Sequence, residues 1–315
     1  MVERLILTIT LNPSVDISYK LDSLSLDTVN RVNDVSKTAG GKGLNVSRVL
    51  RQLGQDVAAT GFLGGSLGDF IRVEIAKLGI GDLFVGIDGD TRNCIAVIHE
   101  AQQTEILEAG PAVNKGEAIL FLENLSAHIQ QADVVTISGS LPKGIADYFY
   151  KKILEITAED NTPVLLDTKG ELLACTLEGT SKPYLIKPNQ EELADLVGRK
   201  LETEAEVINA MHTQLFEDIP WVVVTLGADG AIVKHGDTFY RARAPKVNAI
   251  NPVGSGDSVI AGFAAGVSRG LVDEELIKFG LSMGVLNAME EKTGHIDPEK
   301  IDWCIGEMQI DVLDR

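Results

Sequence analysis

The sequence predicts an α/β fold: a mostly parallel central sheet flanked by helices, with a second, smaller β-sheet beside it. Three observations carry that expectation. Strand-like runs at 5–11, 57–63, 134–138, 164–167, 184–186 and 221–225 are almost continuously apolar, the pattern of strands covered on both faces. Segments of helical period lie between them, which implies βαβ units. Two stretches, 13–37 and 91–110, break this rhythm and alternate apolar with polar like half-exposed strands.

Taken in order, the chain opens with the strand 5–11; the residues before it form no apolar leader with a small-residue cleavage site. Val15-Asp-Ile-Ser-Tyr19 and Val32-Asn-Asp-Val-Ser36 supply the first excursion. Val46, Val49, Leu50 and Leu53 fall at i, i+3, i+4 and i+7 of a helix, and Phe70, Ile71, Ile75 and Leu78 mark the next. Cys94-Ile-Ala-Val-Ile98 and Thr104-Glu-Ile-Leu107, joined by polar residues 100–103, read as a hairpin. The two excursions either pair into a sheet that covers a cleft as a lid or remain two edge hairpins without a role. Helical periods follow at 118–129, 148–158, 191–197 and 202–216. The expected division is a core of 1–12, 38–90 and 111–315, with 13–37 and 91–110 forming the small sheet. No repeat or low-complexity linker interrupts it.

Lys and Arg number 28 against 46 Asp and Glu, a net charge of −18 that repels polyanions, so neither nucleic acid nor an anionic membrane surface is an expected partner. The run 259–267 is far too short to span a bilayer. Cys94, Cys175 and Cys304 are odd in number, far apart and without a CxxC pair, which points to a reducing, cytoplasmic setting and away from structural zinc. The five histidines show no ligand spacing.

Five motifs carry chemistry. Asn12-Pro-Ser-Val-Asp16 stands at the C-terminal end of the first strand, where ligands of open α/β sheets collect; Asp16 is either a sugar-hydroxyl acceptor or a turn cap. Ala39-Gly-Gly-Lys-Gly-Leu-Asn45 runs straight into a helix, giving close backbone approach and amides for an anion; it is not a Walker A loop. Lys187-Pro-Asn-Gln-Glu-Glu192 sets Asn189 and Glu192 on one helix face, as oxygen ligands for water-bridged Mg²⁺ or as a capping box. Val224-Thr-Leu-Gly-Ala-Asp-Gly230 is a strand ending in a glycine turn, read as a hairpin or a nucleotide seat. Asn251-Pro-Val-Gly-Ser-Gly-Asp257 is the most telling. Gly254, Ser255 and Gly256 can turn amides inward at a helix start, and Asp257 is placed to take a proton from an attacking hydroxyl or to cap the helix. Gly262 and Gly266 inside that helix imply close packing or a ligand against it.

In this order the motifs resemble the ribokinase-like (PfkB) family of carbohydrate kinases over essentially the whole chain. Gly-Gly-Lys-Gly-x-Asn near residue 40 and Gly-Ser-Gly-Asp near residue 257 match the family's two signature regions. Thr91-Arg-Asn-Cys-Ile95, Gln103-Thr-Glu-Ile-Leu-Glu-Ala-Gly-Pro111 and Ser138-Gly-Ser-Leu-Pro-Lys-Gly144 are most similar to the branch that phosphorylates tagatose 6-phosphate. The resemblance implies a ribokinase-like three-layer sandwich with a β-sheet lid over the sugar, ATP and Mg²⁺ as cofactors, a sugar phosphate as substrate and a homodimer as assembly. It implies Asp257 as general base and Gly254, Ser255 and Gly256 as anion hole. Asp16, Gly41 and Asn45 become sugar contacts with Lys42 close by; Asn189 and Glu192 order Mg²⁺ and phosphate; Lys187, Thr225, Gly227 and Asn287 contact ATP. Asn251-Pro252 departs from the Asp-Thr or Asp-Ser of many members, which bears on any monovalent cation near that loop.

Arg92 precedes the second hairpin, and its planar fork suits a substrate that already carries a phosphate. Ser140 adds a hydroxyl, and Arg31 is either a second cation, contributed from a neighbouring subunit's lid, or a solvated strand charge. Fructose 1-phosphate is the alternative substrate. A sugar- or nucleotide-sensing protein on the same fold is the rival from another class, opposed by the intact Gly-Ser-Gly-Asp257. A nicotinamide oxidoreductase lacks its GxGxxG after the first strand.

Overall fold

Apolar runs of β-branched residues alternate with amphipathic segments, and in the computed structural model, which describes residues 5–100 and 102–313, they build two sheets and ten α-helices. Residues 1–4 and 314–315, part of the expected core, and Ala101 of the expected hairpin loop lie outside the described residues. The chain runs β1 (Leu5–Thr10), β2 (Ser14–Leu21), β3 (Asp34–Gly40), α1 (Lys42–Gln52), β4 (Asp56–Leu63), α2 (Gly65–Lys77) and the short β5 (Gly81–Asp82) and β6 (Val85–Gly86). Next come β7 (Arg92–His99), β8 (Gln102–Leu107), α3 (Lys115–Ile129), β9 (Ala132–Ser138), α4 (Phe149–Glu159), β10 (Val164–Asp167), α5 (Gly170–Leu177), β11 (Leu185–Ile186), α6 (Gln190–Val197) and α7 (Glu204–Met211). The last part holds β12 (Trp221–Thr225), β13 (Ala231–His235), β14 (Thr238–Arg243), α8 (Ser255–Arg269), α9 (Asp273–Ala288), α10 (Ile301–Glu307) and β15 (Gln309–Leu313).

The large sheet has the order β15-β14-β13-β12-β11-β10-β9-β1-β4-β5, with β6 also on β4. It is parallel from β5 to β12 and antiparallel beyond. Alternate side chains enter two cores. Ile6, Val134, Leu165 and Val223 pack on the side of α1, α2, α8, α9 and α10; Leu7, Ile9, Val135, Leu166 and Val222 pack on the side of α3 to α7. The result is a three-layer sandwich.

The two excursions meet in a single four-stranded sheet, β3-β2-β7-β8, in which β2 pairs antiparallel with β3 and parallel with β7. β3 begins at Asp34 and continues to Gly40, three residues beyond 37. The helix expected over 202–216 is broken: α7 stops at Met211 and a single 3₁₀ turn, Gln214–Phe216, follows. Among the described residues no helix is long and apolar enough to cross a membrane, and the three cysteines are free.

Candidate active site

The C-terminal ends of β1, β10, β11 and β12 converge on one cleft, and the motif residues hang from them. Asp167, the last residue of β10, is almost wholly buried and lies between two lysines, Lys42 Nζ at 3.1 Å and Lys187 Nζ at 3.2 Å. Burial opposes its charge, but Lys187 and Lys42 outweigh burial and hold its carboxyl below the usual range. In return Lys42, whose burial alone would weaken its charge, is held above the ordinary lysine range by Asp167 and Asp257.

Helix α1 starts at Gly41, whose φ of 100° is a conformation that side-chain-bearing residues rarely adopt. From this turn Lys42 reaches Asp167, and one turn on the Asn45 Nδ2 donates to Asp257 Oδ2 at 2.8 Å. Asp257 is 6% exposed in the first turn of α8. Burial and the neighbouring Asp167 push its carboxyl up to about 6, against the pull of Lys42, Asn45 and Lys187. A carboxylate so tuned is ionised at neutral pH yet basic enough to accept a proton.

The α8 N-terminus is set by Gly254 at φ 83°, the left-handed region, with Thr293 and Gly294 packed where a Cβ would stand. Ser255 N donates to Pro252 O at 3.2 Å, so the expected anion hole changes in detail. The amides of Gly254, Gly256 and Asp257 have no acceptor among the described residues, whereas that of Ser255 is spent. Lys187 Nζ stands 3.1 Å from where a Cβ at Gly256 would be, bringing a cation to the same amides.

Asp16, on β2, accepts from Ser14 Oγ at 2.7 Å and lies so close over Gly40 that a Cβ there would sit 2.0 Å from the Asp16 carboxyl carbon. Burial raises its carboxyl. Arg92 donates through Nε and Nη2 to Asn12 O (3.3 and 3.0 Å) and through Nη1 to Glu108 O (2.8 Å). It lines an open cleft of about 460 Å³ with Ser66, Asn93 and Lys143. Asn12 Nδ2 reaches Ser140 Oγ at 3.4 Å, so Arg92 and Ser140 meet at one residue.

Among the residues expected to contact ATP, Thr225 N donates to Pro188 O at 3.1 Å, which seats Thr225 and the Gly227 turn beside the Lys187–Asn189 segment. Asn189 and Glu192 form a capping box: Asn189 Oδ1 accepts from Glu192 N at 2.8 Å and Glu192 Oε2 from Asn189 N at 3.0 Å. That places Asn189 as the cap rather than a free metal ligand. The described residues contain no cluster of three or more His, Cys, Asp or Glu suited to a resident metal. Glu192 Oε1 has no hydrogen bond among the described residues, and one free carboxylate oxygen fits Mg²⁺, an ion that keeps most of its waters.

Two expected residues stand elsewhere. Arg31 is exposed on the segment between β2 and β3, without an ion pair among the described residues. Asn287 has no exposed surface. Its Nδ2 donates to Val253 O (3.0 Å) and its Oδ1 accepts from Ser258 Oγ (3.1 Å) and Gly294 N (2.8 Å), so it fastens the anion loop from beneath. Asp167 and Arg48 are site residues the motifs did not point to. Asp167 had a signal, a charge closing an apolar strand; Arg48 had only its i+3 spacing from Asn45.

A buried, basic carboxylate beside unpaired helix amides and two lysines, over the carboxyl ends of a parallel sheet, defines a phosphoryl-transfer enzyme. The model of the pfkB family carbohydrate kinases matches residues 9–300. A tagatose-6-phosphate kinase of Staphylococcus epidermidis is 47% identical over 307 residues, 97% of this chain and 99% of that one. The phosphofructokinase-2 of Escherichia coli in complex with potassium superposes with a TM-score of 0.87 at 25% identity, covering 97% of this chain and 99% of its own. Its tetrameric inhibited form gives 0.86 at 25% identity over the same shares. The chain belongs to the pfkB family of carbohydrate kinases.

Proposed function

We propose that this kinase transfers the γ-phosphoryl group of ATP to the free primary hydroxyl of a ketohexose phosphate, converting D-tagatose 6-phosphate to D-tagatose 1,6-bisphosphate. The observation that carries the reading is Asp257, a base tuned to about 6 beside unpaired amides. The hydroxyl oxygen attacks γ-phosphorus in line, the bond to the β–γ bridging oxygen breaks, and ADP leaves with that electron pair. Asp257 takes the hydroxyl proton. The amides of Gly254, Gly256 and Asp257, with Lys187, receive charge on the transferring group. Asp16 and Asn45 accept and donate to sugar hydroxyls next to Gly41 and Lys42, and the Thr225–Gly227 turn seats the nucleotide. Glu192 would hold the Mg²⁺ that enters with ATP, and the ion would supply charge neutralisation on the phosphates.

Arg92 and Ser140 read the phosphate already on the substrate, and the small sheet covers the sugar and excludes water. The same reading admits a monovalent cation at the 251–253 loop, where potassium binding by the relative is the guide. It also has two copies associating through the small sheet.

The test is ADP release with Mg-ATP, scored as kcat/KM on tagatose 6-phosphate, fructose 6-phosphate, fructose 1-phosphate and the free sugars. A preference for tagatose 6-phosphate is expected. Arg92→Ala should raise KM for the phosphosugar roughly tenfold or more, with KM for ATP unchanged. Asp257→Asn should lower kcat by about 10²–10⁴. Preference for fructose 1-phosphate moves the phosphate site, and no turnover beyond Asp257→Asn overturns the kinase assignment of this site.

A further inference from the structure

We propose that Arg48 is a positioning residue whose guanidinium fixes the Asn45 carboxamide against Asp257 and holds the sugar side and the anion loop at one spacing; the role in turnover rests on the kinase reading above. Arg48 lies one turn after Asn45 on α1. Its Nη1 donates to Asn45 Oδ1 at 3.0 Å and to Thr293 O at 3.1 Å, and its Nη2 donates to Ala39 O at 2.6 Å. A guanidinium has donors only, so the amide oxygen of Asn45 must face Arg48 and the amide nitrogen must face Asp257. So turned, Asn45 donates to Asp257 at 2.8 Å and favours its ionised form. Without Arg48 the carboxamide oxygen loses its donor, and the group is free to turn over and present that oxygen to the carboxylate.

The other two bonds reach opposite halves of the site. Ala39 is the penultimate residue of β3, directly before Gly40 beneath Asp16. Thr293 is packed on Gly254: a Cβ on that glycine would lie 2.6 Å from Thr293 Cγ2. Gln52, four residues on, repeats the grip, with Nε2 on Gly294 O at 3.1 Å and Oε1 accepting from Ile296 N at 2.9 Å. Arg48 makes no salt bridge among the described residues, so all its directional bonds go to neutral oxygens. Its field falls on Asp16 from β2, Asp257 from α8 and Glu74 from α2. Asp257 in turn faces Asp167 from β10, Lys42 from α1 and Lys187 after β11.

The experiment compares Arg48→Lys and Arg48→Met with the unaltered chain. Lysine keeps the charge, but its single nitrogen lacks the span of the guanidinium fork that reaches Asn45 and Thr293 through Nη1 and Ala39 through Nη2; methionine removes both charge and fork. The first readout needs no turnover: a ¹³C-carboxyl NMR titration of Asp257 in the unliganded protein. The midpoint, about 6 in the unaltered chain, should rise by roughly one unit in Arg48→Met and by less in Arg48→Lys. The second is the pH dependence of kcat on whichever phosphosugar is turned over. The acid limb should move up in the same order, kcat should fall roughly 10–100-fold at neutral pH, and guanidinium ion should restore part of it in Arg48→Met. An Asp257 midpoint unchanged in both variants overturns the proposal, whatever the turnover. So does a kcat lowered equally at every pH without guanidinium rescue, which marks Arg48 as scaffold. Absence of turnover in the unaltered chain speaks against the kinase reading alone, since the titration still decides the role of Arg48. If Arg48→Met does not fold, Arg48→Lys carries both readouts.

Discussion

Burial opposes ionisation of Asp257, the nearby charge of Asp167 adds to that, and the carboxyl answers by holding its proton up to about pH 6. Two consequences follow with definite signs. The base works only when ionised, so kcat/KM should climb as pH rises through about 6 and level off above it. A carboxyl whose folded value is raised contributes stability below its unfolded value and loses that contribution as pH rises through the folded one. At neutral pH the ionised base therefore strains the fold. Asp257→Asn should be more stable than the unaltered chain by on the order of 1–3 kcal/mol at pH 7.5, with the difference vanishing below about pH 4, as thermal melts at both pH values would reveal. A less stable Asp257→Asn would contradict the burial argument. Asp257 was legible because its Gly-Ser-Gly neighbours are local in sequence. Arg48 was not, and Asp167 showed only as a charge closing an apolar strand, since their significance comes from partners more than a hundred residues away, such as Thr293 for the first and Lys42 for the second.

At the scale of elements, the seat of the base is the crossing of α8 and α9. Gly262 meets Met283 and Gly280, and a Cβ on Gly280 would lie 2.4 to 2.8 Å from ring atoms of Phe263. The helices touch backbone to side chain with no room for a methyl group. The helix glycines noted in the sequence thus serve packing and not a ligand. Gly280→Ala, on α9 and facing away from the reacting groups, should cost about 1–3 kcal/mol in urea unfolding and leave KM for ATP unchanged. An unchanged midpoint would mean the crossing is looser than these distances. Legibility at this scale followed period. α1 and α2 show one apolar stripe and were visible. α9 is buried on nearly every side, from Leu276 and Ile277 through Phe279 to Leu286, so no face stands out and its helix passed unread. The 202–216 segment kept a plausible period through His212, but capping by Thr203 and Glu206 at one end did not prevent the break at the other.

Over the whole molecule, the small sheet has two unfinished edges, as the large sheet does at β15 and β5. β3 and β8 each pair on one side only, and Leu26, Val29, Ile106 and Leu107 are exposed around them. Two copies joined there should sediment as a dimer, and Leu26→Asp with Ile106→Asp should shift the species to monomer; a monomeric unaltered chain would refute the association. The way this sheet is attached has a further consequence. Ser14 pairs with Gly40 on one side and Arg92 on the other, and Leu107 sits opposite Cys94, so every passage of the chain between the two sheets falls along one border of the smaller sheet. A plate fastened along one border swings like a door. Its far corner, near Leu21 and His99, sweeps the longest arc, while the residues on the hinge line scarcely move. Asp16, Gly41 and Arg92 stand on or next to that line. Under the function proposed above, the door opens to admit a sugar without dismantling Asp16, Gly41 and Arg92, and closing it adds a roof over them.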